Sequence, residues 1–105
     1  MILRARVFGA KKIILATNHP SSKTLPFEHL KSISYNESNV QYNKIIRKVA
    51  ENQKVILIDH EKEWIKKIKI NQKLNDFLLP DQIHLSEKGH ELYFNFALPI
   101  LMKLL

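Results

Sequence analysis

Cysteine is absent from the 105 residues, which excludes disulfides and thiolate metal sites. No apolar run approaches the ~20 residues needed to cross a bilayer. The opening Met1-Ile2-Leu3-Arg4-Ala5-Arg6 is charged too early to serve as the core of a signal peptide, so a cytoplasmic location is the expectation. Arginine, the residue suited to bidentate phosphate contacts, occurs only three times among 17 basic side chains. The formal charge of +7 is therefore carried mainly by scattered lysines. Their densest stretch, from Lys62 to Lys73, is interrupted by Trp64, Ile65, Ile68 and Ile70, as in an amphipathic helix with one solvated face. Neither a nucleic-acid partner nor a membrane span is expected.

Ordinary globular composition remains: 45% hydrophobic and 26% charged, in a chain long enough for one domain with a modest core. Residues 2–8 read as the tail of a helix, with Gly9 as its C-terminal stop. Ile13-Ile14-Leu15-Ala16 is a continuous apolar run too short for a helix, as expected of a strand buried on both faces. Residues 17–37, with Pro20, Ser21, Ser22 and Pro26, read as a long loop, a kind of connection that is often functional. Ser38 and Gln41 have capping-box spacing and open a helix whose apolar stripe is Tyr42, Ile45, Ile46, Val49 and Ala50. Val55-Ile56-Leu57-Ile58 is a second buried-strand run. Asp59 ends it and can cap a helix over 60–70, followed by a weaker helical stretch over 71–79. Ser86, with Glu87 in the first turn, caps a last helix lined by Leu92, Tyr93, Phe96, Ala97, Ile100, Leu101 and Leu104, kinked at Pro99.

Helix and strand alternate, which indicates an α/β protein with parallel strands. Only two strands are found, and both read as interior. Interior strands need neighbours on their outer edges. The chain, 1–105, thus reads as a single partial domain.

Asp81 and His84 stand three residues apart in a polar loop between the last strand and the last helix. That spacing lets a short turn set the carboxylate beside the imidazole. The carboxylate then accepts the Nδ1 proton and leaves Nε2 as a general base. Spacing alone favours the plainer reading, an exposed loop carboxylate and an exposed histidine. The segment Leu79-Pro80-Asp81-Gln82-Ile83-His84-Leu85-Ser86-Glu87-Lys88-Gly89-His90 goes further. It resembles the last conserved block of the SGNH/GDSL ester hydrolases: Asp-x-x-His, Leu, a helix-capping residue, Gly and an apolar helix. Upstream, Ile2 to Gly9, Ala10 to Ala16, Tyr42 to Ala50 and Val55 to Asp59 are similar to successive helices and strands of that family.

The resemblance implies a partial flavodoxin-like three-layer α/β/α sandwich containing the last two parallel strands and their flanking helices. It implies hydrolysis of carboxylic esters (small-molecule, lipid or sugar esters) with no cofactor or metal. His84 would deprotonate the nucleophilic serine and protonate the leaving alcohol, while Asp81 holds the imidazole in its productive tautomer. One departure is large. The family's serine lies in a Gly-Asp-Ser segment near the start of its domain, and its oxyanion donors include a Gly and an Asn in the next two blocks. Gly9 and Gly89 are the only glycines here, and none of the six serines follows a strand as a nucleophile turn would. The chain is expected to be a gene fragment, a half that works with a complementary N-terminal half or by self-association, or a non-catalytic interaction module.

Four other features bear on the site. Asn18 and His19 follow the first strand, and ligands bind at the carboxyl ends of parallel strands, so both are candidates to line a substrate cleft. Asp81, His84 and His90 lack metal-ligand spacing. Asp59 and His60 sit at a strand end, where a helix cap accounts for Asp59. Trp64, Tyr93 and Phe96 fall at helical spacing and read as core.

Overall fold

A computed structural model describes residues 2–23, 34–68 and 73–104. Its elements run α1 (Ile2–Val7), β1 (Ile14–Ala16), α2 (Tyr35–Gln53), β2 (Ile56–Ile58), α3 (His60–Ile68), a 3-10 turn (Leu74–Phe77) and α4 (Glu87–Met102). The two strands pair in parallel, Ile14 opposite Ile56 and Ala16 opposite Ile58. This is the alternating α/β order expected of the sequence.

Local chemistry explains most boundaries. Gly9 adopts φ 93°, and Ala10 N–H reaches back to Ala5 O at 2.9 Å, closing α1 as a left-handed glycine does. Asp59 caps α3 by accepting the Lys62 amide at 3.1 Å. Ser86 caps α4 by accepting the Gly89 amide at 3.2 Å. Pro99 lies within α4, as expected.

Three expectations need correction. The long helix does not open at Ser38: α2 begins at Tyr35, and its cap is Ser34, whose hydroxyl accepts the Glu37 amide at 3.4 Å. Ser34 and Glu37 have the same capping-box spacing as Ser38 and Gln41, and the earlier pair prevails. The loop of 17–37 is shortened accordingly, and residues 24–33 lie outside those described. Secondly, the stretch over 71–79 forms no α-helix among its described residues, only the 3-10 turn; positions 69–72, including the predicted end of α3, lie outside the described residues.

Thirdly, the apolar stripe of α2 is covered only at its end, where Ala50 is buried. Tyr42 and Ile45 are about 60% exposed, whereas Asn43 and Ala50 are buried. Nor are the strands covered on both faces; Ala16 is exposed and only Ile58 is buried. Among the described residues β1 has a neighbour on one edge alone. An apolar groove of ≈ 410 Å³ results, lined by Ile2, Leu3, Leu15, Tyr42, Ile45 and Ile46 among others. The physical reason is that a stripe reports which face seeks burial, and nothing among the described residues packs on the rest of this one.

The core sits at the other side, where Trp64 is fully buried against Phe77 and Leu78, with Ile68, Leu74, Leu85, Leu92 and Tyr93 around them. Trp64 and Tyr93 are thus core, as read from the sequence. Gly89 lets α4 press onto this cluster: a Cβ there would meet Phe77 O at 2.0 Å. Gly89→Ala is expected to destabilise the chain by about 2 kcal/mol or more, overpacking outweighing the ~1 kcal/mol of helix propensity that Ala gains. A fall in the urea midpoint of Trp64 fluorescence would report it.

Candidate active site at the carboxyl ends of the strands

Both strands end in polar residues that α2 and α3 hold in one network. Thr17, almost wholly buried, donates its hydroxyl to Asp59 Oδ1 at 3.0 Å and accepts the Glu61 amide at 3.1 Å. Arg47 from α2 grips Asp59 through two nitrogens at 2.6 and 2.9 Å and reaches Glu61 at 2.8 Å. Asn43, fully buried one turn earlier, donates to Glu61 at 2.7 Å. Its amide also brackets the Asn18 backbone, accepting Asn18 N–H at 2.8 Å and donating to Asn18 O at 3.0 Å. Burial works to raise the Asp59 carboxyl, but the bonds from Arg47, the Lys62 amide and Thr17 prevail and hold it below its ordinary range. The same pairing raises the Arg47 guanidinium above its usual value. A partly buried charge set of this kind is tolerable because every member is hydrogen-bonded.

From this network the chain runs to the loop carrying Asp81 and His84. Asn39 donates to His19 O at 3.0 Å. The His19 ring lies 5.2 Å from that of Trp64, and His19 Nε2 donates to Ile83 O at 2.7 Å. Burial holds the His19 imidazole below its ordinary pKa, against the raising effect of that bond. Ser21 Oγ donates to Gln82 O at 2.8 Å, and the Ser22 amide reaches the same carbonyl at 3.2 Å.

The sequence-predicted pair meets. The carboxylate of Asp81 receives the Ile83 and His84 amides on Oδ1 at 2.9 and 3.0 Å, and its Oδ2 contacts His84 Nδ1. These bonds, the one from His84 first, hold the Asp81 carboxyl down to about 2. With Nδ1–H committed to Asp81, a neutral His84 presents Nε2 as its basic nitrogen. The His84 side chain is 74% exposed, so that nitrogen is on the surface at the carboxyl ends of the strands. The turn is fastened from behind: Leu79 N–H bonds His84 O at 2.7 Å, and Leu78 and Leu85 form an antiparallel bridge. It holds Gln82 at φ 65°, a left-handed conformation that costs a non-glycine residue roughly 1–2 kcal/mol.

Asn18 is exposed and borders a shallow cleft of ≈ 180 Å³ with Tyr35, Ser38, Asn39 and Tyr42. His19 turns instead toward the Asp81 loop. His90 is on the exposed side of α4. Sequence reading missed Asn43, Arg47 and Glu61 as organisers of the site. A signal existed: Arg47 is the one arginine in a lysine-bearing helix, four residues after Asn43, on the face that Ala50 shares.

The family model for GDSL-like lipase/acylhydrolase matches residues 2–96. The chain belongs to the GDSL-like lipase/acylhydrolase family. Its fold is similar to the crystal structure of a GDSL-like lipase from Bacteroides thetaiotaomicron, at 19% identity and a TM-score of 0.66. The match covers 98% of this chain and 48% of that one, so the chain spans about half the length of its structural relative. No curated protein matches the chain.

His60 supplies a pH-dependent prediction. It is buried, stacked on Tyr93 at 3.6 Å, and its Nδ1 has no partner among the described residues. Burial, with His19 nearby, pushes its pKa down to about 4 against the attraction of Asp59. A histidine depressed in this way binds its proton in the unfolded chain first. Its contribution is complete above about 6.5 and is lost as pH falls through about 4. His60→Phe, which keeps the stacking, should therefore flatten the loss of stability between pH 7 and 4. At ~1.4 kcal/mol per pKa unit the difference approaches ~3 kcal/mol, read by denaturant unfolding at each pH.

Proposed function

We propose that this chain carries the Asp–His dyad of a serine ester hydrolase, with His84 as general base and Asp81 as the group that orients it. The observation that carries the reading is the bond from His84 Nδ1 to an Asp81 carboxylate already held by two amides, beside an exposed ring edge. In the reaction, His84 Nε2 takes the serine hydroxyl proton as the oxygen attacks the ester carbonyl. It then gives that proton to the departing alcohol, and the cycle repeats with water on the acyl-enzyme. Asp81 offsets the imidazolium charge between those steps.

The serine and the oxyanion donors belong to a segment that this sequence does not contain, the Gly-Asp-Ser and following blocks of the family. We assign its docking face to the open edge of β1 and the groove between Ile2, Leu15 and Ile45. Two observations support that occupant: the chain corresponds to about half of its structural relative, and an apolar helix face lies uncovered beside an unpaired strand edge. Asn18, at the rim of the adjoining cleft, is assigned to the ester substrate.

Activity on short-chain nitrophenyl esters tests the reading. Residues 1–105 alone should not exceed free imidazole. Supplying a Gly-Asp-Ser segment from a close family member, fused or added in trans, should restore turnover. In the restored enzyme His84→Ala should lower kcat about 10²–10⁴-fold, the usual worth of general acid–base assistance. Asp81→Asn should be of similar severity, since an amide can favour the wrong tautomer. Full activity in His84→Ala would end the dyad reading. Failure of every such segment to restore turnover would favour a non-catalytic interaction module.

A further inference from the structure

The segment after β1 hydrogen-bonds the carbonyls of two consecutive residues of the Asp81 loop, Gln82 and Ile83. His19 Nε2 donates to Ile83 O at 2.7 Å, and Ser21 Oγ and the Ser22 amide converge on Gln82 O. Those residues lie between Asp81 and His84, and Gln82 is the one left-handed position of the turn. The His19 ring and the Ser21 hydroxyl each bond the main chain of the turn. Both hold the backbone whose shape brings His84 Nδ1 to Asp81. His19 is itself fixed from three sides: its carbonyl by Asn39, its ring by Trp64, and its preceding residue by Asn43.

We infer that His19 and Ser21 are positioning residues of the dyad, acting as a clamp on the Gln82 and Ile83 carbonyls. The inference rests on the dyad reading and adds to it a role for two residues whose hydrogen bonds go to the main chain between Asp81 and His84. Free imidazole side chains favour the proton on Nε2. The loop geometry is what keeps it on Nδ1, against Asp81.

The test is the tautomer of His84, read from side-chain 15N shifts of histidine-labelled residues 1–105 above the histidine titration range. Five histidines make the assignment tractable. In the unmodified chain His84 should be predominantly Nδ1–H. His19→Phe keeps the ring against Trp64 and removes the donor, and should shift His84 toward the Nε2–H form. His19→Gln, whose amide can donate to Ile83 O, should retain the Nδ1–H form. Ser21→Ala should shift it in the direction of His19→Phe, and serves as the deciding variant if His19→Phe loses the buried fluorescence of Trp64. An unmodified chain with His84 in the Nε2–H form would overturn the dyad reading itself. An Nδ1–H form unaffected by either His19→Phe or Ser21→Ala would leave the dyad standing and overturn the clamp. Equal loss in His19→Gln and His19→Phe would also overturn it.

Discussion

The fork of Arg47 on Asp59 and Glu61 is the interaction from which the rest of the site hangs. It crosses from the middle of α2 to the junction of β2 and α3, and so fixes the helix on the sheet where an apolar contact would leave it free to slide. Each acidic partner has a second duty. Asp59 caps α3 and accepts the Thr17 hydroxyl at the end of β1; Glu61 holds the Asn43 amide, which in turn grips the Asn18 backbone. Removing the guanidinium would leave two carboxylates poorly solvated and uncompensated, which costs far more than the pair contributes as a whole. A two-stranded sheet offers little burial of its own, so a polar network substitutes for a core at this end of the fold.

A second, apolar support acts on the far side of the Asp81 loop. Trp64, Phe77 and Leu78 are buried together, and the Leu78–Leu85 bridge ties the loop's two ends across them. Gly89 admits the Phe77 carbonyl against α4, and Ser86 both caps that helix and bonds Asp76 O at 3.0 Å. The loop between these supports must pass through a left-handed residue, and Gln82 tolerates it because its carbonyl and amide are both bonded. An exposed His84 side chain is thereby carried on a hydrogen-bonded backbone. Elsewhere, among the described residues, Tyr42 and Ile45 of α2 present apolar surface and β1 an unpaired backbone edge, both of the kind that monomers usually cover.

The fold class was legible because alternating apolar runs and capped helices survive in short stretches. Gly9, Asp59 and Ser86 each announced a boundary through a single side-chain or φ preference, and each stands where expected. Ser38 misled because two overlapping capping boxes compete, and the spacing rule has no means of ranking Ser34 against it. The α2 stripe misled differently. Periodicity correctly marked Tyr42, Ile45 and Val49 as one face but said nothing of Asn43 and Arg47, since polar side chains bury only when partners distant in sequence are ready for them. Glu61 is 14 residues from Arg47, and no local pattern links the two. The contact between Asp81 and His84 was legible because it is local, three residues within one turn. The clamp from His19, 64 residues away from Ile83, was beyond reach of any local rule.

The ionic network at the strand ends is joined to the Asp81–His84 turn through Asn43, Asn18 and His19, as one mechanical unit. Native-state amide hydrogen exchange tests it most directly, comparing the unmodified chain with Arg47→Met. Two amides report the two ends: Asn18 N–H, bonded to Asn43, and His84 N–H, bonded to Asp81. Both should lose protection together in Arg47→Met while the amides of α4 near Gly89 do not. Faster exchange at Asn18 with unchanged protection at His84 would contradict it, because the turn would then hold its shape without the network.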